Sequence, residues 1–234
     1  MNTPKHIAII PDGNRRWAKE HHLPISMGHK KGVDALRDVL KASYELEIPT
    51  LSFWGASLSN LTKRSSREVY FLETLFEDNF RRLLQDPIIH ENQVRVRVLG
   101  EWETVLSDGA KQAIKSAIQT TEKYQRFSLN VLIAYDGTIE MITAIEKIIQ
   151  KASGNKKVKV TPELIKENLY THDIPPVDLL IRTGGEPHLS AGFMMWEITE
   201  AQLYFSDKYW PEFTGDDLRK AIMEFNERKR RFGK

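Results

Sequence analysis

The sequence predicts an α/β fold: a single domain over residues 1–234, with a mostly parallel central sheet flanked by helices. Three observations predict it. Short apolar, β-rich runs alternate with longer stretches of helical periodicity. No internal repeat, low-complexity tract or long linker divides the chain. Polar clusters follow the first, second and last apolar runs, and ligands of open parallel sheets bind at the carboxyl ends of the strands.

His6–Ile10 reads as a short buried strand. Pro11-Asp12-Gly13-Asn14 then turns into the helix-forming run Arg16-Trp17-Ala18-Lys19. Val33, Leu36, Val39, Leu40 and Tyr44 mark an amphipathic helix, followed by a strand at Thr50–Trp54. Val69, Leu72, Leu75, Phe76, Leu83 and Leu84 mark a second helix, and Val94–Leu99 a third strand. A helix weaker in apolar content spans Ser107 to Tyr124, before a strand at Ser128–Ala134. Ile139, Ile142, Ile145, Ile148 and Ile149 mark a fourth amphipathic helix with Asp136 as its N-cap. Lys151–Thr161, with Gly154 and four lysines, reads as an exposed loop rather than a domain boundary. Val177–Ile181 is the last strand candidate. The final helix starts near Thr214, with Asp217 at a capping position, and runs through Leu218, Ala221, Ile222 and Phe225. The aromatic set Phe53, Trp54, Tyr70, Phe71 and Phe76 is most simply core.

Composition narrows the function classes. There are no cysteines, hence no disulfides and no thiolate metal site. With 34 basic and 32 acidic residues the net charge is +2, which gives no general attraction for nucleic acid, so any anion site must be local. The first strand begins by residue 6, leaving no room for a signal peptide, and no apolar run approaches the roughly 20 residues that span a bilayer. The expected location is cytoplasmic. Seven histidines are scattered without metal-ligand spacing, and no Ser/His/Asp set suggests nucleophilic catalysis.

The chemistry-bearing residues fall in three clusters. Asp12, Gly13, Asn14 and Arg16 combine a carboxylate, a permissive glycine and helix N-terminal amides, a combination suited to phosphate with the carboxylate free for a metal. Ser57, Ser59, Asn60, Lys63 and Arg64 follow the second strand; Arg182-Thr183-Gly184-Gly185-Glu186 follows the last. Arginine grips phosphate bidentately, so both supply suitable donors. His29, between Gly28 and Lys30 ahead of the first long helix, reads either as a phosphate ligand or as a polar helix-start residue.

With these clusters in this order, the chain resembles the cis-prenyltransferases of the undecaprenyl diphosphate synthase type. The matching text is His6 to Ala18 (HIAIIPDGNRRWA), Gly28 to Gly32 (GHKKG), Asn60 to Val69, and Pro176 to Glu186 (PVDLLIRTGGE). It continues with Phe193 to Trp196, Leu203 to Asp207, Trp210-Pro211 and the Arg231-Phe232-Gly233 ending. The resemblance implies repeated 1'-4 addition of isopentenyl diphosphate to an allylic diphosphate such as farnesyl diphosphate, with Mg²⁺ as cofactor. Carried over, Asp12 is the catalytic metal-binding carboxylate. Gly13, Asn14, Arg15, Arg16, Trp17, His29 and Arg64 belong to the allylic diphosphate side. Arg182, His188 and Ser190 belong to the isopentenyl diphosphate side. Ser57, Asn60 and Glu68 match positions tied to substrate handling, Asn60 among the catalytic ones. The resemblance further implies a homodimer, a hydrocarbon tunnel between the sheet and two helices, and peripheral membrane contact through the lipid product. Replacing Asp12 is expected to cost turnover and little stability.

The chain departs from the family pattern at identifiable places. Ile25 stands where an arginine is usual, and His188 where a second arginine follows the motif glutamate. The segment Ser190-Ala191-Gly192-Phe193 is one residue longer, Gln202 replaces a second acidic metal residue, and a Tyr-Gly-Gly-Arg pattern reads Tyr135-Asp136-Gly137-Thr138. An amide is a poorer Mg²⁺ ligand than a carboxylate, and histidine is a weaker, pH-dependent phosphate partner. Two alternatives follow: a non-head-to-tail condensation with an altered acceptor, and a non-catalytic subunit of a heteromer. Non-catalytic subunits of the family typically lack the first-loop aspartate, and Asp12 is present.

Overall fold

The computed structural model describes residues 3–153 and 158–228. Six strands form one sheet: β1 (His6–Ile10), β2 (Thr50–Ala56), β3 (Val94–Leu99), β4 (Phe127–Ile133), β5 (Leu179–Arg182) and β6 (Gln202–Phe205). Their order is β3-β4-β2-β1-β5-β6, and every neighbouring pair is parallel. The helices are α1 (Asn14–Glu20), α2 (Ile25–Glu45), α3 (Leu58–Lys63), α4 (Ser66–Leu83), α5 (Pro87–Glu91), α6 (Trp102–Val105), α7 (Asp108–Thr121), α8 (Gly137–Ala152), α9 (Pro162–Lys166) and α10 (Gly215–Glu227).

Both faces of the sheet are covered, which is why its central strands are continuous apolar runs. The pleat divides β1 between two cores: Ile7 and Ile9 pack with Val39, Leu72 and Ile114, while Ala8 and Ile10 pack with Trp54, Leu180 and Phe193. β1 lies between β2 and β5, with Ile9 opposite Phe53 and Ile10 opposite Arg182. The loops after these three strands therefore meet at one edge, although they come from residues far apart in the chain.

The expected strands are present, two with the expected ends and three with ends shifted by up to two residues, and Asp136 caps α8 by accepting from the Thr138 amide. Thr214 and Asp217 form a reciprocal capping box on α10. Four expectations need correction. The first long helix reaches back to Ile25 through Gly28 and Gly32, whose low helix propensity masks its first turns, so His29 lies inside α2 rather than before it. Gln202–Phe205 is a sixth strand at the sheet edge. Of the isoleucine stripe of α8, only Ile148 is buried. Gly137, Glu140, Ala144 and Ile148 are buried, whereas Ile142, Ile145 and Ile149 are exposed. The small face packs closely on the domain, and the apolar face remains outward. Tyr70, assigned to the core, is 72% exposed. The ending at Arg231-Phe232-Gly233 lies outside the described residues.

Candidate active site

The first loop leaves β1 and enters α1 through Gly13, whose φ of 110° only glycine adopts readily. Tyr209 packs directly behind it: a Cβ on Gly13 would stand 2.6 Å from Tyr209 Cδ1. The loop is tied to the end of β5 by the Asp12 amide, which donates to Thr183 Oγ1, and by Thr183 Oγ1, which donates to Asp12 O. Asp12 is thus held at the edge with its carboxylate a third exposed, between two guanidinium groups. Arg16 Nη2 lies 3.0 Å from Oδ1, and Arg182 Nη2 lies 2.9 Å from Oδ2. Arg16 also pairs with Glu186 at 3.1 Å and stands over the Tyr209 ring.

On the opposite side of this cluster Glu68 organises two arginines and a histidine. Arg64 Nη1 donates to Glu68 Oε1 at 2.8 Å, His29 Nε2 lies 3.4 Å from the same oxygen, and Arg15 Nε lies 3.8 Å from it. Glu68 itself is placed by Ser65, the N-cap of α4, which accepts from the Glu68 amide. Burial lowers the His29 pKa below the usual histidine value, against the opposing hydrogen bond to Glu68. Burial also lowers that of Arg64, with the Glu68 charge restoring part of it. Ser57 caps α3 by accepting from the Asn60 amide, and that cap holds Asn60 at the cavity wall.

The third cluster centres on Arg182, which is 4% exposed at the end of β5. Its Nη1 donates to His188 O and to Ser190 Oγ, both at 2.7 Å. The His188 ring is exposed, 3.4 Å from Ser190 Oγ and 3.7 Å from Glu186. Gln202 is not brought to this edge within the chain. It pairs with Leu179, the partner of Ile7, so it sits five residues below Asp12 along the strands, roughly 16 Å away. Its amide nitrogen reaches Phe225 O at 3.5 Å instead.

Below the polar edge lies a cavity of about 570 Å³, within the ordinary range for ligand pockets. Asp12, Asn14, His29, Asn60, Arg64, Arg182 and Ser190 stand at its polar end. Its wall is apolar, with Leu36 and Leu40 from α2, Phe76 and Phe80 from α4, and Leu129 and Val131 from β4. A site that fixes anionic groups at one end and offers an enclosed hydrocarbon surface at the other suits a prenyl diphosphate.

Comparison with known proteins agrees. Residues 10–233 match the family model for undecaprenyl diphosphate synthase. This chain belongs to the undecaprenyl diphosphate synthase family of cis-prenyltransferases. The prenyltransferase is 41% identical over 233 residues to the geranylgeranyl-diphosphate-specific tritrans,polycis-undecaprenyl-diphosphate synthase of Pyrococcus horikoshii, covering 99% of this chain and 87% of that one. It is 41% identical to the isoprenyl transferase of Rickettsia typhi, with both chains covered completely. Among solved structures it superposes on lavandulyl diphosphate synthase from Lavandula x intermedia, in complex with dimethylallyl diphosphate, with a TM-score of 0.93, 29% identity and 99% of each chain covered. A probable undecaprenyl diphosphate synthase from Campylobacter jejuni gives a TM-score of 0.80 at 29% identity with both chains covered completely.

In this prenyltransferase, Asp12, Asn14, Arg15, Arg16, His29, Ser57, Asn60, Arg64, Glu68, Arg182, His188 and Ser190 gather at or beside the cavity mouth. Trp17 does not: its Nε1 donates to Glu212 at 3.0 Å and its ring stacks on His21, fastening α1 to the turn at Trp210. Sequence reasoning passed over Glu140 and Glu197, both buried carboxylates. The signal for Glu140 was its place four and eight residues before Ala144 and Ile148, on the buried face of α8. Glu197 carries no comparable signal. Burial raises its pKa, against the ion pair with Lys166 at 2.6 Å.

Proposed function

We propose that the protein condenses isopentenyl diphosphate with an allylic diphosphate in repeated cis additions, making a cis-polyprenyl diphosphate and releasing diphosphate. The observation that carries this reading is the junction of the Asp12–Arg16–Arg182 cluster with the apolar cavity. Arg16, Arg64 and His29 hold the allylic diphosphate; Arg182 and Ser190 hold isopentenyl diphosphate. An incoming diphosphate competes with Asp12 for its two arginines, which frees the carboxylate. The allylic C–O bond breaks, a carbon–carbon bond forms to isopentenyl diphosphate, and that substrate loses one proton. Guanidinium groups aimed at the leaving oxygens stabilise the charge that develops there. The hydrocarbon enters the cavity and is shielded from water.

Among the described residues no group of three or more His, Asp or Glu side chains converges as a metal cage. A single carboxylate fits Mg²⁺, which is commonly held by one or two carboxylates together with substrate phosphates. Asp12 would hold it. Bound there, Mg²⁺ supplies positive charge to the departing diphosphate.

The same reading includes a homodimer. Ile142, Ile145 and Ile149 are 52%, 46% and 61% exposed on one helix, and Leu203 and Phe205 stand exposed on the edge strand β6. Such surfaces on a folded domain are suited to a second copy of the chain. The enzyme would act in the cytoplasm and touch a membrane only through its product; no helix among the described residues is long and apolar enough to cross one.

His188 and the backbone likeness to the lavandulyl synthase favour a second reading, in which the allylic half is retained and the acceptor is changed. One assay separates the two. The purified protein is incubated with dimethylallyl, farnesyl or geranylgeranyl diphosphate, with and without isopentenyl diphosphate, in Mg²⁺ or in chelator. The products are read by mass and linkage. Elongation that needs isopentenyl diphosphate and Mg²⁺ is the expected result; condensation of allylic diphosphates alone would transfer the assignment to the second reading.

A further inference from the structure

We propose that Tyr135 and Glu140 are positioning residues for the isopentenyl diphosphate half of the site: the Tyr135 hydroxyl, held by Glu140, pins the turn that carries Ser190. This rests on the reading of Arg182 and Ser190 as that half-site. Neither Tyr135 nor Glu140 lines the cavity, so any effect on substrate passes through the turn.

The geometry forms a continuous chain. Thr171 donates its amide to Glu140 Oε1 at 3.0 Å, and its hydroxyl lies between Glu140 Oε1 at 3.0 Å and Glu197 Oε1 at 2.8 Å, which fixes the carboxylate. Glu140 Oε2 accepts from the Tyr135 hydroxyl, which in turn accepts from the Met194 amide at 3.2 Å. Tyr135 is fully buried, and its ring meets Phe193 edge to face; Phe193 stacks on Trp54, whose Nε1 donates to Tyr135 O. The first residue of α8 completes the clamp. The Gly137 amide donates to Ala191 O at 2.9 Å, and a Cβ on Gly137 would stand 1.9 Å from Gly192 O. One residue upstream of Ala191, Ser190 Oγ accepts from Arg182.

The turn needs such a clamp. Ala191 and Met194 have φ of 47°, and Ala134, next to Tyr135, has φ of 50°. Residues with a Cβ are uncommon in this region and persist where the surroundings over-determine them. Here three of them surround one tyrosine. Beyond Ser190 the turn is held at two points, where the Ala191 carbonyl accepts from the Gly137 amide and where the Met194 amide donates to the Tyr135 hydroxyl.

The test is Tyr135→Phe, which keeps the ring and its contact with Phe193 and removes the hydroxyl. The KM for isopentenyl diphosphate is expected to rise about fivefold or more while the KM for the allylic substrate stays within about twofold. Glu140→Gln retains an acceptor for the hydroxyl and should act in the same direction more weakly than Glu140→Ala. Ser190→Ala serves as the reference. If it raises the KM for isopentenyl diphosphate and folded Tyr135→Phe and Glu140→Ala do not, the positioning role is overturned. If Ser190→Ala leaves that KM unchanged, the half-site assignment has failed instead. A fall in thermal stability with both KM values rising together would show a merely structural network and would likewise overturn the proposal.

Discussion

Asp12 and Arg182 stand 170 positions apart in the chain and form an ion pair at 2.9 Å across the carboxyl ends of β1 and β5. The parallel register that sets Ile10 opposite Arg182 makes the contact unavoidable, because Asp12 follows two residues later. The pair joins the carboxylate proposed to hold Mg²⁺ to the arginine proposed to hold isopentenyl diphosphate. A side chain read from the sequence as catalytic is therefore also the counter-ion of a buried guanidinium.

This changes what removal of Asp12 should do. Asp12→Ala is expected to lower turnover by roughly 10²–10³-fold or more, since it removes the carboxylate that would carry Mg²⁺ charge to the leaving group. It should also cost about 1–3 kcal/mol of stability, because Arg182 loses a charged partner while remaining buried. The loop position alone led to an expectation of little stability change; the ion pair with buried Arg182 argues for a larger cost. Steady-state kinetics and a urea melt on the same preparation check both parts; near-normal Mg²⁺-dependent turnover would refute the catalytic assignment.

His188 is the exposed neighbour of Ser190 and Arg182. His188→Arg is expected to lower the KM for isopentenyl diphosphate about three- to tenfold, as a charge-assisted phosphate contact replaces a weaker one. Glu186, 3.7 Å from the present ring, competes for the new guanidinium and sets the lower end of that range. An unchanged KM in a folded variant would argue for a different acceptor.

Val131 on β4 lines the cavity between Leu129 and the helices above it. Val131→Phe adds volume where a growing hydrocarbon must pass, so the product distribution should shift toward shorter chains, with the KM for isopentenyl diphosphate within about twofold of the parent. Mass analysis of the extracted products measures the shift. An unaltered distribution would place the growing chain elsewhere.

His6 predicts a pH dependence of stability. Its Nδ1 donates to Pro175 O and its Nε2 accepts from Ser52 Oγ, both at 2.8 Å, so the buried ring is neutral. Burial lowers its pKa from 6.5 to about 4. Between these values the unfolded chain binds the proton and the folded chain does not. Stability is therefore whole above about pH 6.5 and falls as pH drops toward 4, by about 3 kcal/mol from this residue. Urea midpoints measured across this window should show the loss in the parent and a shallower slope in His6→Asn.

Much of the fold was legible because its physics is local. Continuous apolar runs meant strands buried on two faces, and Asp136 and Thr214 announced helix starts through side chains that reach only two or three residues. The polar clusters at the sheet edge were legible for the same reason: a carboxylate, a glycine and arginines packed into a few residues after a strand. The orientation of α8 was not. Its isoleucines follow helical spacing on one side, and Glu140, Ala144 and Ile148 follow it on the other. Periodicity alone does not say which side meets the sheet.

The sequence by itself determined the class of fold, the edge at which ligands gather and the residue types that gather there, since each depends on neighbours in the chain. Tertiary structure alone decided that Asp12 belongs to Arg182, that Gln202 lies far down the sheet from Asp12, and that Tyr135 reaches the turn of Ser190. These pairings span long stretches of chain. They are set by strand register and by the packing of one layer on another, and a one-residue change of register would replace them all while leaving every local motif intact.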